Sequence, residues 1–590
     1  MFSLKVGTNQ PFSPSTTTDA LTPVRLKGSS IMDKVCKAGT FLLAATIAAC
    51  ASGPENTAPK AFNADDPLAE MEAQSLTALA TPCTFNTTTG LMTVTVATGE
   101  TAVIARSAAD SAITQNGQSC DNAVTATTLK KIVINGSAGA ETVLLDFTNG
   151  LFGLGTTSTA SSGITIDLLG GSDKLAIKGT SSADNFTLGA SGILLNSDTN
   201  KDITYSNIES FVVSMGDGDD VFSAAGGGVA GAVFGVAVSV FGGVGNDTFN
   251  QGTATTISEV ISGGSGTDTV SYTSRSAAVT VTVGAGANDG TTGSENDNIM
   301  DDVEVVTGGS GNDTMTAAAG VAVTFNGGAG DDTLIGDSGN DTLNGGAGND
   351  TLRGKAGNDT LNGDDGNDTF DEESAANGGD VMNGGNGIDT VDYSARTVAL
   401  IVTMDGAAAN DGESGENDNI KSDVENIKGG TGNDNITGNA LSNVITGGDG
   451  NDTLNGGAGD DTFPQGAADD GDDTISGGAG VDKVTYAGRS ADITAVLDGT
   501  TASGDLTAGE ADILGTDVEN LEGGSGADTL TGNASANELV GNGDDDTLNG
   551  LGGDDTLEGG AGDDNINCGA GFDVNVGAVG TDVVNADCEI

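Results

Sequence analysis

Between Gly327 and Asp371 a large apolar residue returns at every ninth position, as Leu334, Leu343, Leu352, Leu361 and Phe370, each preceded by threonine. Each triplet, such as Thr333-Leu334-Ile335, reads as a very short strand with one side chain inward and its neighbours outward. A nine-residue unit cannot bury Leu334 alone. Copies must stack until the five apolar residues form the interior of a solenoid. Nearer the amino terminus, apolar strands recur at Leu91–Val96, Lys131–Ile134, Val143–Leu145, Ile164–Leu168, Leu175–Ile177 and Phe211–Val213, without long helical periodicity. The pattern predicts an all-β chain throughout.

The polar residues between these strands repeat as strictly. The units read GGAGDDTLI, GDSGNDTLN, GGAGNDTLR, GKAGNDTLN and GDDGNDTFD. Gly327, Gly328 and Gly330 permit a tight turn through positive φ, and Asp332 closes it as an oxygen ligand. The pattern G-G-x-G-x-D-x-U-x, with U apolar, resembles the RTX (hemolysin-type) calcium-binding repeat family. That resemblance implies a calcium-loaded parallel β-roll in which two nonapeptides form one turn and calcium sits between repeats n and n+2. Carried over residue by residue, it pairs Asp332 with Asp350, Asp341 with Asp359 and Asp350 with Asp368, with glycine-loop carbonyls completing the shell. Six or more hard oxygen ligands suit calcium and leave little for zinc or copper.

The same phase returns elsewhere. After the block 327–371, a second block at 429–464 offers Asp434, Asp452 and Asp461, with Asn443 at the ligand position of a degenerate unit. A third at 523–576 offers Asp528, Asp546, Asp555, Asp564 and Asp573, with Asn537 as the substitute. Asparagine keeps a carbonyl oxygen but no charge, so weaker sites are expected there. Single copies within 216–326 add Asp247 and Asp313, and Asp220, Asp268, Asp389 and Asp482 fit the phase at the edge of irregular sequence. In the segment 83–215 only degenerate units remain, around Gly136–Val143 and Gly179–Thr187. It reads as β-solenoid with eroded metal sites or as a small all-β cap.

Three longer modules interrupt the nonapeptides: one begins at Gly263 within 216–326, and the others span 384–428 and 477–522. They share Asp268, Asp389 and Asp482; Tyr272, Tyr393 and Tyr486; Arg275, Arg396 and Arg489; and the endings Asp302-Val303-Glu304, Asp423-Val424-Glu425 and Asp517-Val518-Glu519. The first carries the alternating strand Ala278–Val283. Active sites are seldom triplicated while scaffold units must be, so a structural arginine–carboxylate brace is the expectation. The acidic stretches Glu295-Asn296-Asp297, Glu416-Asn417-Asp418 and Glu510-Ala511-Asp512 read as solvated loops or as further cation ligands.

Composition sharpens the picture. With 96 glycines, no tryptophan, no histidine and a net charge of -65, the chain cannot build an ordinary layered globule. Without cation, disorder is the expectation. Bound calcium would offset the self-repulsion, so binding free energy becomes folding free energy. Such acidity argues against a nucleic-acid partner. Cys83 with Cys120, and Cys568 with Cys588, segregate into one pair near each end and suggest two disulfides, the second clipping a terminal cap at 577–590.

The amino-terminal region reads as an address. Met32 is a better start than Met1, making residues 1–31 an over-extended N-terminus. Lysines then precede the short apolar run Phe41–Ala49, too short for a transmembrane helix. The ending Ile47-Ala48-Ala49-Cys50 resembles a bacterial lipoprotein cleavage box, making 32–50 a lipoprotein-type signal peptide with Cys50 lipidated; an ordinary signal peptide is the alternative. Residues 51–82, rich in proline, read as a flexible linker leaving a membrane.

Two functional classes remain. The first is a calcium-binding structural or adhesive protein, extracellular and held at the bacterial surface as an outer-membrane lipoprotein, touching a cell-surface or matrix partner that the sequence does not identify. The second uses the roll as scaffold for an exported carbohydrate-active enzyme, a lyase or glycosidase, or for ice or surface binding. Absence of histidine removes zinc-protease and Ser-His-Asp chemistry. Every carboxylate cluster found is repeated, which favours the non-enzymatic class.

Overall fold

The computed structural model describes Leu68 and residues 83–576, apart from 109–111, 121–123, 126–127, 153–162, 191, 196–200, 225–234, 254–257, 292–293, 319 and 408, together with 580–585 and 588. The leader, Cys50 and all of the linker except Leu68 lie outside the described residues. The described chain is a parallel β-solenoid, with strands assembled into sheets of sixteen, fifteen, nine, five and five members.

Pairing skips one nonapeptide each time. Leu334 lies beside Leu352, Leu343 beside Leu361 and Leu352 beside Phe370, so consecutive units stand on opposite sheets and two units make one turn. The three-residue strands bury only their middle side chain, and Leu334, Leu343, Leu352, Leu361 and Phe370 are fully buried. Turns vary in length but keep register. The spacing from one rung to the next is 18 residues in the regular block, 21 where a loop lengthens, and 36 to 39 across the long modules. Added residues leave through the loops because a one-residue slip within a strand would turn its apolar side chain outward.

The segment 83–215 continues the same coil and also caps it. Leu91–Thr95 pairs in parallel with Lys131–Asn135, and Thr101–Arg106 with Thr142–Asp146, which starts both sheets. Antiparallel strands close the outer edges, Thr84–Asn86 on one sheet and Ile113–Gln115 followed by Gln118–Ser119 on the other, and the Cys83–Cys120 disulfide, with Cα atoms 5.1 Å apart, ties the cap together. An uncapped edge would template pairing with another chain. The second disulfide, Cys568–Cys588, clips the opposite end.

Strands here are longer and bury side chains on both faces. Val103, Leu144, Ala176 and Val212 form a row on the outer face, and Leu68 packs against that row, fully buried and helical in backbone. At this position the flexible-linker reading is corrected: an apolar stripe on the outside of a sheet has to be covered, and Leu68 covers it.

Candidate metal centre

Each loop begins with the turn that its glycines permit. Gly328 and Gly330 adopt φ of 112° and 116°, a region that residues bearing a Cβ resist. The turn brings Asp332 back beneath its own loop, with the side chain 1% exposed. Its two oxygens then meet different surroundings. Oδ1 accepts the backbone N–H of Asp313 at 2.7 Å, in the turn before, and the N–H of Asp332 donates to Asp350 Oδ1 at 2.7 Å, in the turn after. Repeated through Asp350, Asp368 and Asp389, this makes a ladder of carboxylates running along the solenoid.

Oδ2 is the chemically informative atom. In Asp332, Asp350, Asp359 and Asp368 it is buried and has no hydrogen-bond partner. A Cβ placed on Gly327 would collide with Asp332 Oδ2 and with the carbonyl oxygen of Gly345, one turn on. The same set recurs at Gly345 with Asp350 and the Gly363 carbonyl, and at Gly363 with Asp368 and the Gly384 carbonyl. Carboxylate and carbonyl oxygens from repeats n and n+2 therefore converge on one small space, which fits a hard cation such as calcium. Burial pushes the acids up, Asp332, Asp359 and Asp368 to about 7 and Asp350 to about 6, with neighbouring carboxylates adding to the effect.

The candidate ligands divide into two groups. Asp247, Asp332, Asp350, Asp359, Asp368, Asp452, Asp461, Asp546, Asp555, Asp564 and Asp573 all present a buried, unpartnered Oδ2, and Asp220, Asp268, Asp389 and Asp482 join them. In Asp313, Asp341, Asp434 and Asp528 that oxygen instead accepts a backbone N–H of its own loop, from Gly309, Asp337, Gly430 and Gly524, at 2.8, 2.9, 2.9 and 2.6 Å. Three of these four follow a long module. There the second loop glycine rests on the carbonyl oxygen of Arg275, Arg396 or Arg489 in place of an earlier glycine loop.

Asn443 and Asn537 are closed in the same way. Their side-chain oxygens accept the N–H of Asn439 and Asn533 at 2.9 and 2.8 Å, while their amides donate to the carbonyls of Glu425 and Glu519 at 2.8 and 2.7 Å. The amide thus fills with hydrogen bonds the place where an aspartate leaves an oxygen free.

Sequence reasoning missed several ladder members. Glu304, Glu425 and Glu519 accept the N–H of Asp268, Asp389 and Asp482 at 2.8, 2.8 and 2.9 Å, taking the position of the next aspartate. Their signal was available: Glu425-Asn426-Ile427-Lys428-Gly429 keeps the phase of D-T-L-N-G. Asp380 and Asp173 also carry a buried, unpartnered Oδ2.

Within the long modules the brace forms, with different partners from the D-V-E glutamates. Arg275 binds Glu295 at 2.7 Å, Arg396 binds Glu416 at 2.8 Å and Arg489 binds Glu510 at 2.7 Å, all buried. Each guanidinium lies 5.5 to 5.8 Å from the ring centre of Tyr272, Tyr393 or Tyr486. Tyr393 and Tyr486 donate to Asp418 and Asp512 at 2.8 Å. The solvated-loop reading of these acidic stretches is overturned, because the arginine draws their carboxylates into the interior.

The family model of the RTX calcium-binding nonapeptide repeat matches residues 300–321, 324–352, 344–371, 425–463, 467–488, 515–548 and 540–574. These segments are RTX repeats, and repeats of this type bind calcium. No curated protein matches the chain.

Proposed function

We propose that this protein is an exported, surface-anchored structural or adhesive protein whose RTX roll folds on binding extracellular calcium. The carrying observation is the series of buried, unpartnered Oδ2 atoms, which in Asp247, Asp332, Asp350, Asp368, Asp461 and Asp546 stand beside a glycine carbonyl of the following turn. Unsatisfied buried oxygens are destabilising in a metal-free fold and become ligands once an ion enters. Asp247, Asp332, Asp350, Asp359, Asp368, Asp452, Asp461, Asp546, Asp555, Asp564 and Asp573 are the assigned ligands, and the four aspartates with an engaged Oδ2 are assigned a turn-closing role. Acylation of Cys50 tethers the chain to the outer membrane, and two disulfides suit the oxidising side of that membrane. The module acids serve arginines in three copies, which supports a scaffold over a catalyst.

Circular dichroism of the chain from Cys50 during calcium titration tests this. A cooperative gain of β-structure is expected, with magnesium far less effective. Equal β-structure in excess chelator and in calcium would overturn it.

A further inference from the structure

One position distinguishes the second long module from the other two. It lies twelve residues before the module begins, with Gln251 and Gln465 there for the first and third and Glu372 for the second, and all three are buried. Glu372 stands beside Arg396, whose guanidinium is already held by both oxygens of Glu416, at 2.8 and 3.1 Å. Its Oε2 accepts a hydrogen bond from Asn377 at 3.1 Å, and its Oε1 is buried with no partner. One carboxylate oxygen from each of Glu372, Glu416 and Asp418 lies within 4.8 Å of the other two. Glu413, 3.2 Å from Arg396, adds a fourth carboxylate around a single positive charge. Glu372 Oε2 lies 3.6 Å from Arg396, whereas before the third module Gln465 stands in its place and the additional acid, Asp470, bonds Arg489 directly at 2.7 Å.

We propose that Glu372, Glu416 and Asp418 hold a divalent cation of calcium's size, at a site separate from the glycine loops and confined to the second module. A calcium ion bound at about 2.4 Å spans oxygens up to twice that distance apart, which matches this triangle, and an all-oxygen set favours a hard ion. The ion supplies the partner that Glu372 Oε1 lacks and offsets the negative charge that Arg396 alone does not.

The chain has no tryptophan and four tyrosines, and Tyr393 donates to Asp418, so terbium at this site is excited through Tyr393. The experiment compares the full chain, Glu372→Gln and Tyr393→Phe after terbium loading, with bound calcium per chain counted after dialysis. Glu372→Gln places in the box the residue that the other two modules carry, which protects folding, and far-ultraviolet circular dichroism of the same samples checks it. The expected result is loss of one bound calcium and a clear fall in tyrosine-sensitised emission for Glu372→Gln. Tyr393→Phe should lose the same emission while keeping the calcium count. An unchanged count and emission in Glu372→Gln would overturn the site and leave the box holding a proton. Failure of the roll to respond to calcium would show separately, in the circular dichroism.

Discussion

Asp350 divides its work between two oxygens: Oδ1 accepts the Asp332 N–H, and Oδ2 stands free beside the Gly363 carbonyl. Asp350→Ala therefore removes a ligand and also leaves a buried N–H unpaired in the turn before, a loss of about 1–3 kcal/mol for the hydrogen bond alone. Asp341→Ala removes the ladder contact to Val323 but no free oxygen. Calcium titrations should move to higher midpoint for Asp350→Ala and much less for Asp341→Ala; equal shifts would refute the division into open and closed loops. The pH dependence follows from the same atoms. In the calcium-free fold Asp332, Asp359 and Asp368 are pushed up from 3.8 to about 7 by burial, so the folded state binds more protons than the unfolded chain. Stability of the metal-free roll is then fully present below about pH 4 and is lost as pH rises towards about 7. In chelator, β-structure should be greater at pH 5 than at pH 8, while the calcium midpoint should fall over the same range. The aspartate column was legible in the sequence because ligand, glycine and apolar residue keep one phase. Closure of Asp313, Asp434 and Asp528 was not, since their loops read like the open ones and differ only in what lies one turn earlier.

The long modules show what an element of this solenoid tolerates. Thirty-six to thirty-nine residues replace eighteen without breaking register, because an arginine and a tyrosine anchor the detour from within. Arg396→Met leaves Glu416 and Glu372 buried without their cation, a change of about 3–5 kcal/mol for a buried pair. Limited proteolysis should then cut within residues 405–417 faster than in the unaltered chain. Lys428→Ala breaks only the half-exposed pair with Asp392 and should cost about 0–1 kcal/mol. Equal protease sensitivity of both variants would contradict the brace. The recurrence of Tyr, Arg and D-V-E was visible in the sequence, but the arginine's partner was not. Twenty residues separate Arg396 from Glu416, and only the folded detour makes them neighbours.

Across the whole described chain the source of cohesion changes. Strands such as Thr142–Asp146 and Lys174–Lys178 bury three consecutive side chains, and Phe147 and Phe152 pack with ring centres 4.8 Å apart. From Thr324 onward most strands bury one residue where three are ordered, and unpartnered carboxylates fill the loops. Apolar burial can hold the first region without metal, whereas the second depends on cations to offset its acidity. Hydrogen exchange in chelator should retain protection in residues 91–223 and lose it in 324–576, with calcium restoring the latter; uniform protection would refute this gradient. The hydrogen bonds between turns also run in both directions along the coil. Each aspartate N–H of the ladder donates to the carboxylate of the following turn, as Asp332 does to Asp350, while the next residue donates back, as Thr351 does to the Asp332 carbonyl, so every turn is completed from both sides. Removing the following turn orphans the Asp332 N–H, and removing the preceding one orphans donors such as the Thr351 N–H, which loses the Asp332 carbonyl. A cut or fusion at either end therefore exposes unpaired donors, and an extended coil needs a closing element on both sides.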